Sequence, residues 1–113
     1  MDKIIRSSKH LNYVRSLPCL ISQQGQSQAC HIRILTDGGT SIKPSDFYVL
    51  PFIYKYHRMQ TEMGELSFYK FFNINPFKSA LELTKSSPCS KVRKHKLLLE
   101  ERMWTFGRLH KDI

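Results

Sequence analysis

Side chains able to do chemistry crowd into the middle of the chain: Cys30-His31-Ile32-Arg33, Asp37-Gly38-Gly39-Thr40, Lys43-Pro44-Ser45-Asp46, His57-Arg58 and Glu62-Met63-Gly64-Glu65. Imidazoles and carboxylates move protons and hold metals, while arginine and lysine hold phosphates. Taken by type alone, each also has a plain structural reading. His31, beside Cys30 on an isoleucine-rich stretch, reads as a half-buried histidine with its hydrogen bonds satisfied. His57-Arg58 on a helix reads as solvated surface, and Asp46 after Lys43-Pro44-Ser45 as the cap of a turn or helix start. Gly38-Gly39 is a loop pair first and a phosphate cradle second, because no Walker pattern follows it. His10, His95 and His110 have no ligand spacing among themselves, and Cys89 stands alone near a helix start. Nothing resembles a serine triad or a dinucleotide fingerprint, so no small-molecule cofactor is expected.

The elements that must position these residues come from one small domain. The chain has 113 residues and 41% hydrophobic content, enough for a modest core and too little for a multidomain enzyme. No run approaches the ~18 apolar residues of a spanning helix. Met1-Asp2-Lys3-Ile4-Ile5-Arg6 is charged with no apolar stretch behind it, so a secretory leader is not expected. Cys19, Cys30 and Cys89 are odd in number and too few for a disulfide framework, which fits a reducing, cytoplasmic compartment. Lys and Arg outnumber Asp and Glu 18 to 9, a net charge of +9. That surplus draws polyanions by counterion release, so nucleic acid is the expected partner and a membrane is not.

Helical spacing of Leu11, Val14 and Leu17 predicts a helix over Ser7 to Leu17, stopped by Pro18. A polar turn at Gln23 to Gln28 leads into a strand over Ala29 to Leu35. Thr36 to Asp46 reads as a loop, and Phe47 to Phe52 as a strand or one buried turn. Tyr54 to Met63 is a helix stopped by Gly64, and Glu65 to Phe72 resumes it with Leu66, Tyr69 and Phe72 on one side. Asn75-Pro76 opens a helix to about Lys85, and Ser87-Pro88 opens a last helix to about Phe106. Val92, Leu99, Met103 and Phe106 stripe that last helix, and Lys91, Arg93, Lys94, Lys96 and Arg102 make it basic. Tyr54, Tyr56, Phe68, Tyr69, Phe71 and Phe72 are expected mainly in the core. The class is α+β, with strands early and helices afterwards.

The order of the central motifs resembles the phage-associated HNH-type nucleases, the group that includes phage recombination-enhancement nucleases. They share a histidine-isoleucine-arginine strand, a glycine-glycine-threonine loop, a lysine-proline-serine-aspartate segment and a histidine-bearing helix. The resemblance runs from about Leu11 to Phe77 and takes in Leu17-Pro18-Cys19 and Phe68-Tyr69-Lys70. It implies a ββα-metal core over residues 8–77, with residues 78–113 as a basic helical extension. It also implies endonucleolytic hydrolysis of DNA. His31 would be the general base and Asp46 its orienting partner. His57 and Cys30 would hold a divalent metal such as magnesium, and Arg33, Lys43 and Arg58 would contact nucleic acid.

This chain departs from the family pattern at its metals. The structural zinc of such proteins takes two ligand pairs, and here those positions read Cys19 with Ser22 and Ile53 with Tyr56. Cys19 is a remnant, no structural zinc is expected, and Ile53 and Tyr56 should pack inward toward it. Thr61 stands four residues after His57, where another histidine is usual. Two functions follow: a nuclease of weak or lost activity, or an inactive relative that binds nucleic acid as a basic module.

Overall fold

The computed structural model describes residues 4–39 and 41–111, so Thr40 and both chain ends lie outside the described residues. Helix α1 spans Ser8–Arg15, followed by strands β1 (Gln28–His31) and β2 (Val49–Phe52). Helices α2 (Tyr54–Met63), α3 (Glu65–Phe71), α4 (Pro76–Lys85), α5 (Ser90–Arg93) and α6 (Lys96–Leu109) complete the chain. The fold is α+β. Among the described residues, no helix is long and apolar enough to cross a membrane.

The sheet is an antiparallel pair in which Gln28, Ala29, Cys30 and His31 face Phe52, Pro51, Leu50 and Val49. β1 is shorter than the Ala29 to Leu35 strand that the isoleucines suggest. The amide of Ile32 still reaches the carbonyl of Tyr48 at 2.8 Å. The next two amides, of Arg33 and Ile34, are instead taken by the Glu65 carboxylate at 2.8 Å each. Leu35 then adopts φ 56°, which ends any extended run. Pro51 is tolerated in β2 because its carbonyl points away from β1, where the amide of Leu20 donates to it at 2.9 Å. Its nitrogen lies on that same outer side, where the ladder needs no donor.

Local signals set the helices. Ser7 caps α1 by accepting from the His10 amide, and Asn75 caps α4 by accepting from the amides of Phe77 and Lys78. The buried face of α1 is His10 and Val14 rather than the expected Leu11, Val14 and Leu17, because Leu11 and Leu17 are only half-buried. Gly64, at φ 89°, ends α2 and lets α3 start at once with Glu65. The expected last helix is two: the chain leaves helical geometry at His95, whose ring stacks on Phe47 with centroids 4.5 Å apart.

One hydrophobic cluster runs from Cys19 and Ile32 through Phe52, Phe68, Tyr69 and Phe77 to Val92, Leu99 and Phe106. Edge-on aromatic contacts bind its parts, with Phe52 on Phe68 at 5.4 Å, Tyr48 on Phe77 at 6.0 Å and Tyr69 on Phe106 at 6.3 Å. Residues from both the expected core, 8–77, and the expected extension, 78–113, share this cluster. Tyr54 and Phe71, expected inside, are instead 64% and 70% exposed, since each lies on the outer face of its helix.

A polar seam lies beside the cluster. The fully buried His10 ring meets the Ser87 hydroxyl at 2.7 Å, and the Ser7 hydroxyl donates to the Cys89 sulfur at 3.0 Å. Burial pushes the His10 pKa down to about 4, against the pull of the Asp46 charge. Its folded value lies below its unfolded one, so between them the unfolded chain binds more protons. The His10 contribution to stability is therefore complete above pH 6.5 and is lost as pH drops toward 4, by on the order of 3 kcal/mol. Urea unfolding across pH 4–7 should show that slope, and His10→Gln should reduce it, leaving the part that His31 contributes in the same direction. An equal slope in the variant would assign it to other groups.

Candidate functional site

The last residue of β1 carries the first element of the site. His31 Nε2 donates to Asp46 Oδ1 at 2.9 Å, with the two side chains 14% and 5% exposed. The carboxylate also takes Arg6 Nη1 at 3.2 Å and the Ser7 amide at 2.8 Å. Burial lowers the His31 pKa. The hydrogen bond and charge of Asp46 oppose this, and the charges of Arg6 and Lys43 add to it. At neutral pH the ring is therefore neutral. With Nε2–H committed to the carboxylate, Nδ1 carries the lone pair, which is the form a general base requires.

His31 opens on a cavity of about 540 Å³ whose walls also include His57, Arg33, Lys43, Gln60, Thr61 and Glu65. His57 comes from the first turn of α2, and its Nδ1 donates to Gln28 Oε1 of β1 at 2.6 Å. The hairpin and the helix after it thus bring both histidines to one cavity. Arg33 and Lys43 are exposed on its wall. Gly38 supports the Lys43 segment: a β-carbon there would stand 2.7 Å from the Pro44 ring, so close packing under Pro44 accounts for the glycine without any phosphate.

Arg58 and Cys19 do not line the cavity, whereas Cys30 lines it with little of its surface exposed. Neighbouring strand residues alternate between faces, so beside His31 the Cys30 side chain packs into the core at 2% exposure while Cys30 still lines the cavity. Burial there pushes its thiol pKa up to about 12. Arg58 pairs with Glu62 at 2.8 Å, both on the exposed face of α2, and lines a shallower groove beside the cavity. Cys19 is fully buried. Burial raises its thiol pKa, but hydrogen bonds from the Ser22 side chain and the backbone of Ser22, Ile53 and Ile21 bring it below the ordinary value. Ile53 and Tyr56 are half-buried and pack against the cluster that contains Cys19.

Sequence reasoning assigned no role to Glu65 and Gln60, which line the cavity. Glu65 holds the Arg33 and Ile34 amides and accepts the Tyr69 hydroxyl at 3.1 Å, while Gln60 donates to that hydroxyl at 3.0 Å. The available signal was an acidic residue straight after a helix-ending glycine, a place from which it can reach a neighbouring strand end.

The divalent metal implied by the HNH resemblance does not fit these donors. Asp46 is occupied by Arg6, Ser7 and His31, Glu65 by two amides and a phenol, and Cys30 is in the core. Thr61 donates its hydroxyl to the His57 carbonyl at 3.3 Å. Among the described residues, no three His, Cys, Asp or Glu side chains are grouped to hold a metal. No family model, curated protein or solved structure matches the chain. What the geometry offers by itself is an oriented neutral imidazole and a second imidazole lining one cavity together with two exposed cations, Arg33 and Lys43.

Proposed function

We propose that this protein binds nucleic acid, DNA above all, through the His31–His57 cavity, on a scaffold of the HNH nuclease kind whose phosphodiester cleavage is weak or absent. The observation that carries the reading is the Asp46-held His31 in one cavity with His57, Arg33 and Lys43. The cations of Arg33 and Lys43 suit a phosphate, and the +9 net charge supplies long-range attraction. Lys91, Lys94 and Lys96 are exposed and add to it, whereas Arg58 is offset by Glu62. A base alone contributes about 10²–10⁴-fold, far short of phosphodiester hydrolysis. The hydrogen bonds that already occupy the Asp46 and Glu65 carboxylates are what favour binding over turnover.

Fluorescence anisotropy with a short DNA duplex at several salt concentrations tests this. Four neutralised phosphates give a slope of log affinity on log salt of about −3.6, so a fourfold rise in salt weakens binding roughly 150-fold. Arg33→Ala and Lys43→Ala should each reduce the slope by about one. A slope near zero would reduce the charge to a solubility device. A parallel nicking assay with magnesium, manganese, nickel and zinc should show little cleavage by the unmodified chain. Thr61→His, which adds an imidazole one turn from His57, should raise it. Robust magnesium-dependent nicking by the unmodified chain, abolished by His31→Ala, would establish an intact enzyme instead.

A further inference from the structure

The carboxylate that orients His31 is itself held, and the holding group comes from a distant part of the chain. Residues 5–7 lie across the 43–46 loop. The Ile5 amide donates to Ser45 Oγ at 3.0 Å, the Asp46 amide to the Ile5 carbonyl at 2.8 Å, and the Ser7 amide to Asp46 Oδ2 at 2.8 Å. Arg6 binds three acceptors in that loop: the Pro44 carbonyl at 2.5 Å, the Lys43 carbonyl at 2.8 Å and Asp46 Oδ1 at 3.2 Å. The oxygen that Arg6 touches is the one that accepts from His31.

We propose that Arg6 is a positioning residue of the His31 site: its guanidinium fixes Asp46, and through Asp46 the hydrogen bond that sets the imidazole's orientation. The inference rests on the reading of His31 as the working group of the cavity. The planar fork of arginine is what the geometry uses, because three acceptors lie around one guanidinium and two of them are carbonyls. Lysine would keep the charge without the fork. Arg6 also ties down the Lys43 carbonyl, so the same contacts hold the backbone of one cavity cation while aligning the histidine opposite it.

The test is the imidazole N–H resonance of His31 in the full chain at neutral pH, read by ¹⁵N-edited NMR. In the unmodified protein the Nε2 proton is hydrogen-bonded and shielded, so it should be visible and slow to exchange. In Arg6→Ala exchange should rise about tenfold, as expected on loosening one hydrogen bond, with the backbone amide spectrum of the core unchanged. Arg6→Lys should fail to restore it, whereas low millimolar guanidinium added to Arg6→Ala should. If Arg6→Ala does not fold, Arg6→Gln and Arg6→Lys are read in the same way. An unchanged resonance in any folded variant overturns the role of Arg6. Failure of the unmodified chain to bind DNA, with the resonance responding as expected, removes the functional reading alone.

Discussion

Phe106→Ala should destabilise the whole protein by about 3–5 kcal/mol, the range for emptying a large aromatic site. Phe106 is fully buried, at 6.1 Å from Phe77 and 6.3 Å from Tyr69. A small domain holds only about 5–15 kcal/mol in total, so the variant should sit near its unfolding threshold at 37 °C. Urea unfolding followed by circular dichroism and by tryptophan fluorescence should give one shared transition, displaced to lower urea. The single tryptophan, Trp104, lies on α6, so it reports on the C-terminal helices while circular dichroism reports on the whole. Two separated transitions would make residues 78–113 a unit that unfolds apart from the rest.

Asp46→Ala should cost about 3 kcal/mol, because it strands the Ser7 amide and the His31 Nε2 proton in a buried setting. Arg6, half-exposed, can return to water and contributes less to that figure. Asp46→Asn keeps one acceptor oxygen and should lose less. Equilibrium unfolding of the three proteins at pH 7 measures the order. A loss under about 1 kcal/mol in the alanine variant would mean that Asp46 is not the hub of the N-terminal contacts.

The sequence was legible where the cause was local. Asn75-Pro76 marks the start of α4 because a cap and a first-turn proline act within four residues. Gly64 marks the end of α2 for a similar reason: its positive φ needs no distant partner. What escaped depends on groups far apart in the chain. Nothing around Arg33 announces that Glu65, 32 residues later, will take its amide and shorten β1. Nothing around Arg6 announces Asp46, 40 residues away. Alternation along a strand was available for Cys30 and His31: it buries the first in the core and leaves the second half-buried, while both line the cavity. The resemblance placed them as neighbours at one metal. The histidines were legible as candidates, but only the folded hairpin and α2 bring them to one cavity.

Pro51 has a consequence for how molecules of this protein behave toward one another. A two-stranded sheet has two outer margins, and a margin that becomes exposed can pair with another chain, the usual first step of ordered aggregation. On the outer margin of β2, alternation directs the backbone groups of Val49 and Pro51 away from β1. Pro51 has no proton to offer, and its carbonyl is already taken by Leu20. Val49 beside it is fully buried, so this margin is covered by the rest of the fold and cannot template a further strand. Replacing Pro51 with valine would add a buried N–H with no partner on that margin, so the variant should open there more readily and its soluble yield should fall as concentration rises.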